Sequence, residues 1–193
     1  MREPRSGGPP PGDGAARVTP GTVRSMAARR RLPWLALGIP AAAALVADQA
    51  TKAAVRSSVA LGESVDTVGP FSIHHVRNSG ILGGHLQGSA LPIALATALA
   101  LAALAVYALR REPGRVLTAV AFGLVLGGGL GNLVDRLRLG YVTDFIDRGS
   151  GGAFNFADVA IMLGLVGLLF AKLTERGARD RASDPVTGHG PGD

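Results

Sequence analysis

The sequence predicts an all-α membrane protein of four transmembrane helices, with a small extracytoplasmic β-rich segment between the first and second. Three observations predict it: apolar residues gathered into blocks, blocks of membrane-spanning length, and basic residues sorted to alternate ends of them. Of the 193 residues 47% are apolar and 18% charged, with a mean hydropathy of +0.29. A chain this apolar that keeps so many charges must segregate the two kinds of residue.

The elements follow in chain order. Ten of the first twenty-one residues are Pro or Gly, too little apolar surface to offset the entropy of ordering, so residues 1–31 read as a disordered basic tail. The apolar run 32–47 continues past Asp48 and gives a first span over about 33–53. Because Arg29, Arg30 and Arg31 precede it, the alternative is the apolar region of a signal peptide. An outer loop, about 57–89, alternates apolar and polar residues over 64–68 and 71–76 around Gly69-Pro70, which reads as a hairpin-like strand pair; a solvated loop is the alternative. Residues 90–109 and 116–134 carry no charge and, at about 30 Å each as helices, match the bilayer hydrocarbon. They lack the polar face a helix of a soluble bundle would keep. Pro113-Gly114 makes the turn between them. A second outer loop, about 135–153, leads to a fourth span over about 154–173, and 175–193 reads as a second disordered tail. The four-span core is therefore 32–174, with no internal repeat.

The net charge of +6 does not indicate a nucleic-acid partner, because the basic residues sit at the ends of the apolar blocks. With the N-terminus inside, eleven of them fall on the inner side and six on the outer, which places both termini in the cytoplasm. Cysteine is absent, which excludes disulfides, thiolate metal sites and a cysteine nucleophile. His74, His75 and His85 lie in or near the outer loop without a carboxylate-rich ligand motif, so no metal and no cofactor is expected.

Ionisable residues inside a membrane are costly, and those that persist are functional candidates. Asp48, Asp135, Asp144 and Asp158 all fall at the outer level of the spans. Asp48 and Lys52, four apart with the acid first, form a helical ion pair whose role reads as structural or substrate-positioning. Asp135 and Arg136 are adjacent, point different ways, and read as partners of other helices. Asp144 and Asp158 both adjoin apolar neighbours, and Asp158 has no basic residue at helical spacing. If the loop between them folds back, the two carboxyls share a site, one stays protonated, and the pair can activate a water and protonate a carbonyl. The alternative is two interfacial carboxylates, Asp158 with Asn155 serving only to cap a helix.

Five segments, Asp48-Gln-Ala-Thr-Lys52, Asn78-Ser-Gly80, Gly131-Asn-Leu-Val-Asp-Arg136, Val142-Thr-Asp-Phe145 and Phe154-Asn-Phe-Ala-Asp158, stand in the order seen in lipoprotein signal peptidases. Together they make residues 33–172 resemble that family of membrane aspartyl endopeptidases, signal peptidase II. The resemblance implies that Asp144 and Asp158 are the catalytic dyad. It also implies that Asp48, Lys52, Asn78, Gly80, Asn132, Asp135, Arg136 and Asn155 support the dyad or hold substrate. The implied reaction is cleavage of prolipoproteins before a diacylglyceryl-modified cysteine. The implied partners are those lipid-modified precursors and membrane lipids, for a monomer in the bacterial plasma membrane with its site near the outer face. One departure stands out: Asn78-Ser-Gly80 runs into Ile81-Leu-Gly-Gly84 where the family has small residues and an aromatic. Gly149-Ser-Gly-Gly152 is flexible enough for a lid, a plain connector being the alternative.

Other chemistries fit less well. A presenilin-like or prepilin-type peptidase needs Gly-x-Gly-Asp, whereas Gly129-Leu-Gly-Asn132 ends in Asn, and no span holds the His of a rhomboid-like serine peptidase. A proton-coupled transporter would place its carboxylates at mid-depth, and an assembly factor explains the glycines of 127–131 but not the aspartates.

Overall fold

A computed structural model describes residues 20–67, 69–80, 90–111, 115–149 and 152–183. The expected tails over 1–19 and 184–193, the segment after Gly80 with its missing aromatic, and the middle of Gly149–Gly152 lie outside these. Four helices, α1 (Pro20–Ser58), α2 (Ala90–Arg111), α3 (Val116–Leu139) and α4 (Phe156–Ser183), make up most of the described residues. Each contains a stretch long and apolar enough to cross a membrane. Their outward faces carry large apolar side chains such as Ile39, Leu99 and Leu169, as lipid contact requires.

Three boundaries differ from the sequence reading. Residues 20–31, expected in the N-terminal tail, are helical: Pro20 suits a first helical position and the Ala- and Arg-rich run after it favours helix. Residues 175–183, expected in the C-terminal tail, continue α4. Asp135 and Arg136, expected in the outer loop 135–153, lie on α3, because no helix breaker intervenes before Gly140. That glycine closes the helix with φ 78° and an N–H to the Arg136 carbonyl at 3.1 Å.

The central helix is α3, which packs on α1, α4 and α2. Glycines set the approach. A Cβ at Gly123 would collide with the Leu37 carbonyl oxygen and one at Gly127 with that of Ala41, both backbone atoms of α1; one at Gly128 would meet the Ala157 carbonyl of α4. Small residues therefore let these backbones touch where lipid offers no hydrophobic drive to association. Gly127→Ala is expected to cost about 1–3 kcal/mol by forcing α1 and α3 apart. Gly38→Ala, with nothing within 4 Å of the added carbon, is the matched control, and thermal unfolding in detergent compares the two.

A three-stranded antiparallel sheet in the order β1-β2-β3 caps one end of the helices, with β1 at Ser64–Asp66, β2 at Ser72–Asn78 and β3 at Val142–Asp147. The expected pair is present, with a third strand where the second outer loop was expected. Between β2 and β3, Val76 pairs with Asp144 and Asn78 with Val142. The chain beyond β3 folds back, Phe145 and Ile146 both donating to the Phe154 carbonyl at 3.0 and 2.8 Å. That return delivers Asn155 and the start of α4 to the side of β3.

Candidate active site

Asp144 stands on β3, 2% exposed, rather than in a solvated loop. Asn78 reaches it from the neighbouring strand, on the same face as the opposing Val76, and donates Nδ2–H to Oδ2 at 2.8 Å. Asn155 donates to Oδ1 at 2.6 Å. Burial pushes this carboxyl up to about 6, the Asp158 charge adding to the rise while the two amides and the Lys52 charge oppose it.

Asp158 is held by helix capping. Asn155 precedes the first residue of α4, and its Oδ1 accepts the Asp158 N–H at 3.1 Å, while Asp158 Oδ2 accepts the Asn155 N–H at 3.1 Å. These reciprocal bonds are a capping box, which satisfies two of the helix's otherwise orphaned donors. The capping alternative raised by the sequence and the catalytic reading thus describe one arrangement. Asp158 Oδ1 accepts Asn132 Nδ2–H at 2.9 Å from α3. Asn155, with no exposed surface, touches both aspartates and is the part that joins them.

Beneath this pair lies a buried ionic cluster. Lys52 Nζ contacts Asp48 Oδ2 at 2.9 Å, Asn132 Oδ1 at 2.8 Å and Asp135 Oδ2 at 3.4 Å, with Lys52 and Asp48 fully buried. Asp48 Oδ1 accepts the Ala157 N–H of α4 at 3.0 Å. Asp135 accepts the Thr143 N–H of β3 at 3.0 Å and lies 3.9 Å from Arg56. The cluster thus ties α1, α3, β3 and α4 to one another. Gly131 keeps room for it, since a Cβ there would overlap the Asp48 carboxylate.

Arg136 points the other way, donating to the Gly80 carbonyl at 3.2 Å and more weakly to that of Asn132 at 3.4 Å, and its buried Nε has no partner among the described residues. Gly80 N–H in turn donates to Asn78 Oδ1 at 3.0 Å. All ten residues singled out in the sequence therefore fall in one connected region. Sequence reasoning missed Gln49, whose Nε2 lies 3.1 to 3.2 Å from Asp48, the Gly131 carbonyl and Asp135. It also missed Thr143, which receives a bond from Arg56 at 3.0 Å. Gln49 stands inside the Asp48–Lys52 segment, and a polar amide in an apolar span was the available signal. The histidines have local partners, His74 with Asp147 at 3.1 Å and His75 with the Val59 carbonyl at 2.8 Å, and His85 is outside the described residues.

Asp144, Asp158, Asn78, Asn132, Arg136 and Asn155 open onto a cavity of about 940 Å³. Phe71 and Arg148 stand at its sheet side, and Val159, Met162 and Leu165 continue its wall along α4. From Asp158 to Leu165 a helix rises about 10 Å, so the cavity is polar at one end and apolar along the other.

Comparison with known proteins identifies the family. The family described as Signal peptidase (SPase) II matches residues 40–174. The lipoprotein signal peptidase of Dehalococcoides mccartyi is 37% identical over 139 residues, covering 68% of this chain and 84% of that protein. That of Pelotomaculum thermopropionicum is 39% identical over 135 residues, covering 69% and 89%. Among solved structures, a bacterial membrane enzyme determined by the in meso method at 2.3 Å superposes with a TM-score of 0.69 at 27% identity, covering 77% of this chain and 93% of that one. Motifs gathered at one end of four span-length helices, a family match across nearly all of them, and these relatives lead to one conclusion: the chain belongs to the signal peptidase II family of aspartic-type peptidases, which remove signal peptides from prolipoproteins.

Proposed function

We propose that Asp144 and Asp158 are the catalytic dyad of this chain and that it cuts before a diacylglyceryl-modified cysteine. The observation that carries the reading is the joining of two carboxyls, from different elements, by Asn155 at the polar end of a cavity whose far wall is apolar. Asp158 acts as the base. It takes a proton from a water whose oxygen forms a bond to the scissile carbonyl carbon, while Asp144 gives its proton to the carbonyl oxygen. Asp158 then returns its proton to the amine nitrogen as the C–N bond breaks, and the carbonyl re-forms by returning a proton to Asp144. Arg136, Gly80 and Asn78 hold the substrate backbone, and the α4 wall holds acyl chains.

The protein sits in the plasma membrane with both termini cytoplasmic and the sheet outside, the orientation that the positive-inside rule favours. Residues 32–174 are the working unit, and it acts as a monomer. The experiment is cleavage of a synthetic diacylglyceryl-cysteine precursor peptide by the purified protein in detergent. Turnover that persists with a chelator and vanishes for the unlipidated peptide is the expected result. Equal turnover of both peptides would remove the lipid from the reading.

A pH profile checks the roles. Because Asp144 must enter the reaction protonated, and burial pushes it up to about 6, kcat/KM should fall above that pH, by up to about tenfold per unit. Bound peptide excludes water and raises the group further, so the fall in kcat should come at higher pH. A flat kcat/KM between pH 5 and 9 would show that Asp144 carries no required proton.

A further inference from the structure

The amide of Asn132 is held in one direction from below. An ammonium has three N–H donors and no acceptor, so Lys52 can meet only the oxygen end of that amide, at 2.8 Å. The same oxygen accepts Asn155 Nδ2–H at 3.1 Å. The nitrogen end is therefore turned to Asp158 Oδ1 at 2.9 Å. Flipping the amide would set its N–H2 against both donors and its oxygen against the Asp158 carboxylate. Asn155 is fixed in the same manner by the Asp158 backbone N–H, which claims its oxygen at 3.1 Å and turns its nitrogen to Asp144. Lys52 itself contacts neither aspartate of the pair.

We infer that Lys52 is a positioning residue for catalysis, acting through Asn132 by fixing the direction of its amide so that Asp158 always faces a donor. Asp158 then receives an N–H on each oxygen, from Asn132 and from the Asn155 backbone. It is thereby held in place as an acceptor of protons from water, just as Asp144 is held by an amide N–H on each of its own oxygens. The ion pair of Lys52 with Asp48 thus sets hydrogen-bond direction at the reacting groups as well as holding helices together. The inference rests on the dyad assignment proposed above.

The test is a double-mutant cycle on kcat with the lipidated peptide. Asp48→Asn/Lys52→Met removes both charges together, avoiding a lone buried ion, and should lower kcat roughly 10²-fold, the scale of losing one preorganised donor. In an Asn132→Leu background the same pair of changes should cost less than about twofold, because the group it acts through is gone. Losses that multiply, or a folded pair variant within about twofold of wild type, would overturn the inference. Should the pair variant not fold, Asn132→Leu alone decides. It offers Asp158 no N–H and places no new charge beside it, so a folded sample should show kcat down roughly 10²-fold. A kcat within about threefold of wild type would overturn the inference. A folded Asp158→Asn that still cleaves defeats the dyad assignment itself; a dead one with a multiplying cycle defeats only the role of Lys52.

Discussion

Asp158→Asn and Asp144→Asn should each lower kcat by roughly 10³-fold or more while leaving an inserted, cooperatively folding protein. An amide cannot take a proton from water or give one to a carbonyl at neutral pH, so either change removes a whole role. The cost in stability should be small for two different reasons. At 158 the amide oxygen still accepts the Asn155 N–H, so the cap survives, and loss of the Asn132 bond is worth about 1 kcal/mol. At 144 one of two amide donors loses its acceptor, but a charge that burial disfavours is also removed. Single-turnover cleavage with thermal unfolding of the same samples checks both statements. Turnover within tenfold of wild type in either folded variant would sink the dyad.

Lys52→Ala should be the most damaging single change to the fold, about 3–5 kcal/mol, because it strands buried carboxylates without their cation. Asp48 is fully buried and Asp135 nearly so, and Arg56 approaches only Asp135, at 3.9 Å. The charge-neutral pair Asp48→Asn/Lys52→Met should lose much less, since the amide oxygen at 48 can still accept the Ala157 N–H. Unfolding temperatures in one detergent compare the two. Equal losses would mean that packing around the Lys52 stem, and not its charge, carries the stability.

The sequence made the spans legible because the bilayer demands them: uncharged runs such as 90–109 have little alternative. It made the Asp48–Lys52 pair legible because both residues sit on one helix and i,i+4 geometry is local. The third strand was missed because its partner is β2, with two helices between them in the chain. Its β-branched and aromatic residues, Val142, Thr143, Phe145 and Ile146, were the signal, but a six-residue strand beside a turn reads as loop without its neighbour. The same distance hid the wiring. That Asn155 would reach Asp144 and Asn132, or that Asp48 would cap α4, depends on how four helices cross. Helix ends were missed for a local reason: the soluble-looking residues 20–31 and 175–183 continue helices that the apolar spans have already nucleated.

The order in which the cluster can assemble during synthesis follows from its spacing. Asp48 and Lys52 leave the ribosome together, but Asn132 comes 80 residues after Lys52 and Ala157 comes 109 after Asp48. At ribosomal speed that is a wait on the order of ten seconds, with the first span already meeting the bilayer. During that interval the acid and the ammonium have only each other. Their one-turn separation lets the helix enter lipid with its charges already neutralised, and each later helix then docks onto a pair that exists before it.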